Sequence, residues 1–161
     1  GKDGDLFDPL FHYFQSVAMA KVTGSSFEMR DLGFGGDMDG ISRNKETLIS
    51  DAIKRAGMLA DQGYVPPTIH EVIRVAGLPA LTEIRARLKI MQQSGFISEH
   101  DALIAGKIAH VMCGGEIDSN SYVPANYLLG LELQGFFELL QQPKTQERIQ
   151  YPLKNGKPLR N

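Results

Sequence analysis

Four histidines, one cysteine and a scatter of carboxylates are the residues of this 161-residue chain that could do acid–base, nucleophilic or metal chemistry. Their spacing does not support it. His12, His70, His100 and His110 show no H-x-x-x-H or similar pairing, so no metal-ligand set is expected. No G-x-S-x-G occurs, and Cys113 has no histidine paired with it by sequence. Cys113 falls on an apolar helix face, where a small buried hydrophobe is the expectation. His12, beside Tyr13, has no accompanying nucleophile or carboxylate and reads as a helix-surface residue. Glu132 and Glu138 interrupt an apolar stretch; each reads as a surface or partner-bound glutamate rather than a catalytic acid. The Gly-rich run GFGGDMDG (33–40) lacks the Lys-Ser/Thr of a phosphate loop and the spacing of a dinucleotide fingerprint. Its Asp37 and Asp39 lack the twelfth-position glutamate of a calcium loop. The expectation is therefore that no catalytic, cofactor-binding or metal-binding residue lies in this chain.

Composition bounds the alternatives. The net charge of −2 offers no electrostatic case for nucleic acid or an anionic membrane. Hydrophobic residues at 42% and charged residues at 22% are ordinary for a globular domain. A lone cysteine excludes an internal disulfide and suits a reducing compartment. No apolar run has the length of a membrane span and no signal peptide is visible, so a cytoplasmic location is expected. The abrupt opening, GKDGDLFDP leading straight into a helix, is compatible with a piece of a longer protein.

The elements that must position these residues read as helices. Residues 6–20 place Leu10, Phe11, Phe14, Val17 and Ala18 on one face, with Pro9 in the first turn. Ser25 and Glu28 form a capping box for a short helix over 26–32, stopped by Gly33. Residues 43–62 put Ile49, Ala52, Ile53, Ala56, Leu59 and Ala60 on one face, with Asp51 and Arg55 as an i,i+4 pair opposite. Gly63 caps it, and the Tyr64–Pro67 connector marks a boundary, giving segments 1–64 and 65–161. Ser98 caps a helix over 99–113, ended by Gly114 and Gly115, whose Ala102, Ala105, Gly106 and Ala109 let another helix approach closely. Residues 116–123 read as an irregular loop. Residues 124–141 are apolar nearly all round and are expected to be buried on more than one side, in a core or an oligomer interface. Pro143 opens a last helix that Pro152 ends or kinks. The basic tail KNGKPLRN, with Lys154, Lys157 and Arg160, is expected to be loosely ordered and solvated.

Residues 66–97 carry two readings. Thr68 to Glu71 form a capping box opening a helix to about Ala76, Gly77-Leu78-Pro79 is a turn, and a second helix covers 79–93. A short helix, a glycine turn and a longer helix bearing Arg85, Arg87 and Lys89, ending in GFI, resembles a winged helix-turn-helix DNA reader. No β-wing follows, and the same arginines suit the solvent side of a packed helix.

Two stretches resemble a known family. SEHDALIAGKIAHVMCGGEI, together with KTQERIQYPLKNGKPLRN at the end, resembles the C-terminal end of bacterial bifunctional 3-hydroxyacyl-CoA dehydrogenases whose last domain is crotonase-like (enoyl-CoA hydratase). KVTGSSFEMRDLGF resembles the crotonase element written as a Thr-Gly turn, a short helix and Gly-Leu-Val, with Phe34 and Met29 as departures. The resemblance covers about Asp5 to Asn161. It implies a mainly α C-terminal segment with little or no sheet: helices of the crotonase-like core over 1–64 and a helical extension over 65–161. The parent polypeptide would act in fatty-acid β-oxidation with NAD and acyl-CoA. The family's oxyanion donors and catalytic glutamates precede the Thr-Gly element, so this segment alone is expected to be inactive. It is expected to cover the acyl-CoA site and to pack against the rest of the parent or a second copy through 124–141. A DNA-binding regulator and a free-standing helical interaction module are the alternatives.

Overall fold

A computed structural model describes residues 5–66 and 72–161. In chain order the elements are α1 (Phe7–Ala18), α2 (Ser26–Asp31), α3 (Leu48–Asp61), β1 (Val72–Arg74), α4 (Gly77–Gln93), α5 (Glu99–Cys113), β2 (Tyr122–Pro124), α6 (Ala125–Leu140) and α7 (Pro143–Asn155). The fold is mainly helical, as expected. The described residues contain one sheet, an antiparallel pair in which Val72 faces Pro124, Ile73 faces Val123 and Arg74 faces Tyr122. The chain divides into two compact units, Gly1–Lys21 with His70–Asn161, and Val22–Ile69.

The first unit is organised on α5, against which α1, α4 and α6 pack. Ala105 and Ala109 are buried, so the small residues serve close helix approach. Leu81 and Ile84 of α4 are fully buried with Cys113, and Phe14 of α1 joins the same cluster. Each such aliphatic side chain contributes about 1.5–3 kcal/mol through area removed from water. Gly114 ends α5 at φ 82°, and a Cβ there would come within 2.6 Å of Val75. That glycine lets the β ribbon sit on the end of α5. Gly77, at φ 69°, is tighter still: a Cβ would meet the carbonyl oxygens of Ile117 and Asp118 at 2.5 and 2.6 Å.

Two local expectations in this unit are overturned. The helix expected to run to Ala76 is β1 over Val72–Arg74, because Ile73 and its neighbours find a ladder partner about fifty residues away. The capping box Thr68–Glu71 lies outside the described residues. The loop expected over 116–123 supplies the other strand, β2. With no helix over 72–76, the two-helix arrangement of the DNA-reading alternative is not formed there. Pro152, expected to end or kink the last helix, lies inside α7, which runs on to Asn155 and is capped by Gly156 at φ 65°.

Of the two settings expected for α6, a core or an oligomer interface, this chain alone does not supply the core. Gly135 is its one buried residue, while Leu129, Phe136 and Phe137 are 58%, 56% and 56% exposed. Within this chain α6 packs against α5, α7 and β2 and presents Leu129, Leu133, Phe136 and Phe137 outward.

In the second unit Ser25 caps α2 by accepting from the Glu28 N–H at 3.2 Å, but the Glu28 carboxylate accepts from Gly24 N–H rather than from the cap residue itself. The long helix begins at Leu48 instead of 43. Asn44 Oδ1 accepts from Glu46 N–H, and the Ser42 and Thr47 hydroxyls donate to Asp51 at 2.6 and 3.0 Å. Such local bonds offer the backbone an alternative to helix. They also occupy the Asp51 carboxylate expected to pair with Arg55. Ile49 and Ile53, at 74% and 67%, are exposed, so the apolar face of α3 has no cover.

Candidate functional site

The described residues singled out by type lie on α1, α4, α5 and α6. Cys113 is fully buried, and burial pushes its thiol up to about 11 against a smaller opposing pull from Arg85. A thiol so protonated is a poor nucleophile. His12 is exposed on α1, its ring edge-on to Tyr13. Glu138 bonds to Lys107 and accepts from Gln134 at 3.0 Å; these bonds hold its carboxyl below the ordinary range. Glu132 is exposed on α6. His110 points Nδ1 into the protein without a hydrogen-bond partner. Of the basic row on α4, Arg85 pairs with Glu116 at 2.8 Å and Arg87 pairs with Glu83 while lying over Phe11, so two of its three cations are committed. Among the described residues no group of three or more His, Cys, Asp or Glu side chains is placed to hold a metal ion.

Chemistry-bearing side chains do meet at the start of α5. Ser98 caps the helix by accepting from Asp101 N–H at 3.1 Å, and Asp101 Oδ2 accepts from Ser98 N–H at 3.2 Å. The Ser98 hydroxyl lies 2.9 Å from Asp101 Oδ2 and 3.1 Å from the Asn161 carbonyl oxygen, its one proton shared between them. Arg148 of α7 donates to Asp101 Oδ1 at 2.8 Å, to Asn161 Oδ1 at 2.8 Å and to the Asn161 carbonyl at 3.0 Å. The Asn161 amide donates to Glu147 Oε2 at 2.7 Å and to the Lys144 carbonyl at 3.2 Å. Asn161 is thus held beside the start of α5, at the end of a tail that the sequence suggested was loosely ordered. Burial pushes the Asp101 carboxyl up, but the bonds from Arg148 and Ser98 outweigh it and hold the group below the ordinary carboxylate range.

His100, one residue earlier, is 4% exposed and its Nε2 lies 3.0 Å from the Thr145 hydroxyl. Burial, then the charges of Arg148 and Lys144, hold its pKa below the ordinary value despite Asp101 and Glu147 nearby. Its ring ties α5 to α7.

Beside the clamp runs an apolar trough of about 460 Å³. Phe11, Phe14 and Val17 of α1, Leu88 and Met91 of α4, and Ile104, Ala105 and Ile108 of α5 form its walls. The tail segment Pro158–Leu159–Arg160, which precedes the held Asn161, closes one side, and Phe96 and Ile97 another. Arg87, Arg148 and Arg160 line it against one carboxylate, Asp101. Sequence reasoning missed both clamp and trough. The visible signal was Ser98-x-x-Asp101, an acidic variant of the capping box; nothing local marks Arg148 or Asn161 as its partners.

Over 148 residues the chain is 39% identical to a probable 3-hydroxyacyl-CoA dehydrogenase of Bacillus subtilis (strain 168). That stretch is 92% of this chain and 19% of the relative, so the chain spans about a fifth of that protein's length. No family profile matches the chain, and no solved structure matches it. The similarity therefore carries only to a segment of that protein. No helix of the described residues is long and apolar enough to cross a membrane.

Proposed function

We propose that this chain is the C-terminal helical part of a cytoplasmic fatty-acid β-oxidation polypeptide, a 3-hydroxyacyl-CoA dehydrogenase that also carries a crotonase-like hydratase domain. Residues 1–64 would close the crotonase-like core and 65–161 would extend it. Its role is to cover the acyl-CoA site and to pack between domains or against a second copy. The observation that carries the reading is the 39% identity across nearly the whole chain to a segment of a much longer dehydrogenase. Two structural features support the packing role. The apolar sides of α6 and α3 are open, and monomeric soluble proteins rarely expose large contiguous apolar patches without an interaction to cover them.

Chemistry belongs to the rest of the parent. Hydration of an enoyl thioester needs backbone donors aimed at the developing oxyanion, worth about 3–4 kcal/mol each. It also needs a carboxylate to handle the water proton, worth about 10²–10⁴-fold. Glu28, Glu132 and Glu138 are on helix surfaces, and Glu138 is held by Lys107. Oxidation would draw NAD to a site in the dehydrogenase part, not to this segment. The isolated chain should neither bleach crotonyl-CoA nor form NADH from 3-hydroxybutyryl-CoA. Turnover that survives repurification and disappears on mutating Glu132 or Glu138 would overturn this assignment. The parent polypeptide should lose activity or assembly when the segment is deleted; retention of both would remove the covering role.

A further inference from the structure

We propose that the trough between α1, α4 and α5 binds a single aliphatic chain of medium length carrying a carboxylate head. Its volume of about 460 Å³ lies in the small-molecule range of about 300–1,000 Å³. Three helices supply an aliphatic and aromatic lining that suits a methylene chain rather than a polar ligand. Three arginines line the trough, and two of them are paired with carboxylates. Asp101 is neutralised by Arg148, whose donors are committed to it and to Asn161. Arg87 is taken by Glu83, its guanidinium carbon 4.5 Å from the Phe11 ring centroid. Arg160 has no hydrogen-bond or ion-pair partner among the described residues, although it adjoins the held Asn161 and lines the trough. An unpaired guanidinium beside an apolar channel matches an anion attached directly to the chain. A coenzyme A thioester does not meet this requirement, because a long neutral arm separates its acyl carbonyl from its phosphates. The site is thus for the free acid, and it does not rest on the β-oxidation reading.

The test is calorimetric titration of the full 161-residue chain at low ionic strength with decanoate, decyltrimethylammonium and decanoyl-CoA. Decanoate should saturate a single site, with the ammonium weaker by about tenfold or more. Arg160→Glu should weaken decanoate by a similar factor while leaving the unfolding midpoint in place, since that side chain bonds to nothing described. Val17→Glu, on a half-exposed part of the wall, should do the same through the apolar side. Absence of saturable decanoate binding, equal binding of the cation, or affinity unchanged in Arg160→Glu would each overturn the assignment. So would decanoyl-CoA binding as tightly as decanoate, which would give the trough to the acyl chain alone. None of these outcomes depends on enzyme activity, so they leave the β-oxidation reading to its own test.

Discussion

Arg148 of α7 and Asp101 in the first turn of α5 form an ion pair at 2.8 Å across 47 residues of sequence. The carboxylate that completes the cap of the central helix thereby also anchors the last helix, whose Arg148 holds Asn161. Capping, packing and tail order are coupled through one side chain.

Breaking that pair should be costly. Arg148→Met leaves Asp101 partly buried without its charge-assisted donor and frees Asn161. A loss of about 1–3 kcal/mol is expected, part of the 3–5 kcal/mol typical of fully buried pairs, because both groups keep some solvent. Urea unfolding measures it, and limited proteolysis should show cleavage near the C-terminus that the parent sequence resists. A variant as stable as the original, with its tail uncut, would refute the coupling.

Acid should weaken the fold in two stages. His100 has a folded pKa below its unfolded value of about 6.5, so the unfolded chain binds the proton first. Stability is then fully present above that value and declines as pH falls through it. Asp101, also lowered, contributes stability present above about 3.8 that is lost only on further acidification. Denaturation midpoints taken from pH 7.5 to 3 should show both stages. His100→Gln should flatten the first and leave the second; a first stage unchanged in that variant would assign it to another histidine.

Gly77→Ala should be among the more damaging single-methyl additions. The new Cβ combines an unfavourable φ with two backbone carbonyls that cannot swing away. A loss of about 2–4 kcal/mol is expected. The control is Gly130→Ala, where a Cβ meets nothing within 4 Å and replacement of a helix-interior glycine should stabilise by about 0.5–1 kcal/mol. Comparable melting temperatures for the two variants would contradict the geometry.

The open side of α6 should govern association. Phe136→Glu with Phe137→Glu removes apolar surface that is already exposed, so monomer stability should change by no more than about 0.5 kcal/mol. Sedimentation of the unmodified chain at tens of micromolar should show concentration-dependent association, which the double variant abolishes. A strictly monomeric parent chain with no dye-detectable apolar surface would count against the packing role.

How much of this could be read without coordinates depends on the range of the interaction. The central helix over 99–113, its Ser98 cap and its Gly114 stop were legible because caps, periodicity and left-handed glycine lie within a few residues of one another. So was the burial of Cys113, which follows from its place on the apolar stripe. Strand β1 was not legible: Val72–Arg74 becomes strand only because Tyr122–Pro124 is there to pair with it. The tail's composition suggested disorder, yet Asn161 is fixed by Arg148, Ser98 and Glu147. The apolar pattern of α6 gave its helicity but not its burial, since periodicity states which surface seeks cover and only the fold shows whether cover is present. The sequence alone thus determined a helical segment, its resemblance to part of a longer enzyme and the absence of an obvious catalytic set. The tertiary structure decided the ribbon, the clamp and the trough, because each is made by residues that meet only when loops close over tens of residues.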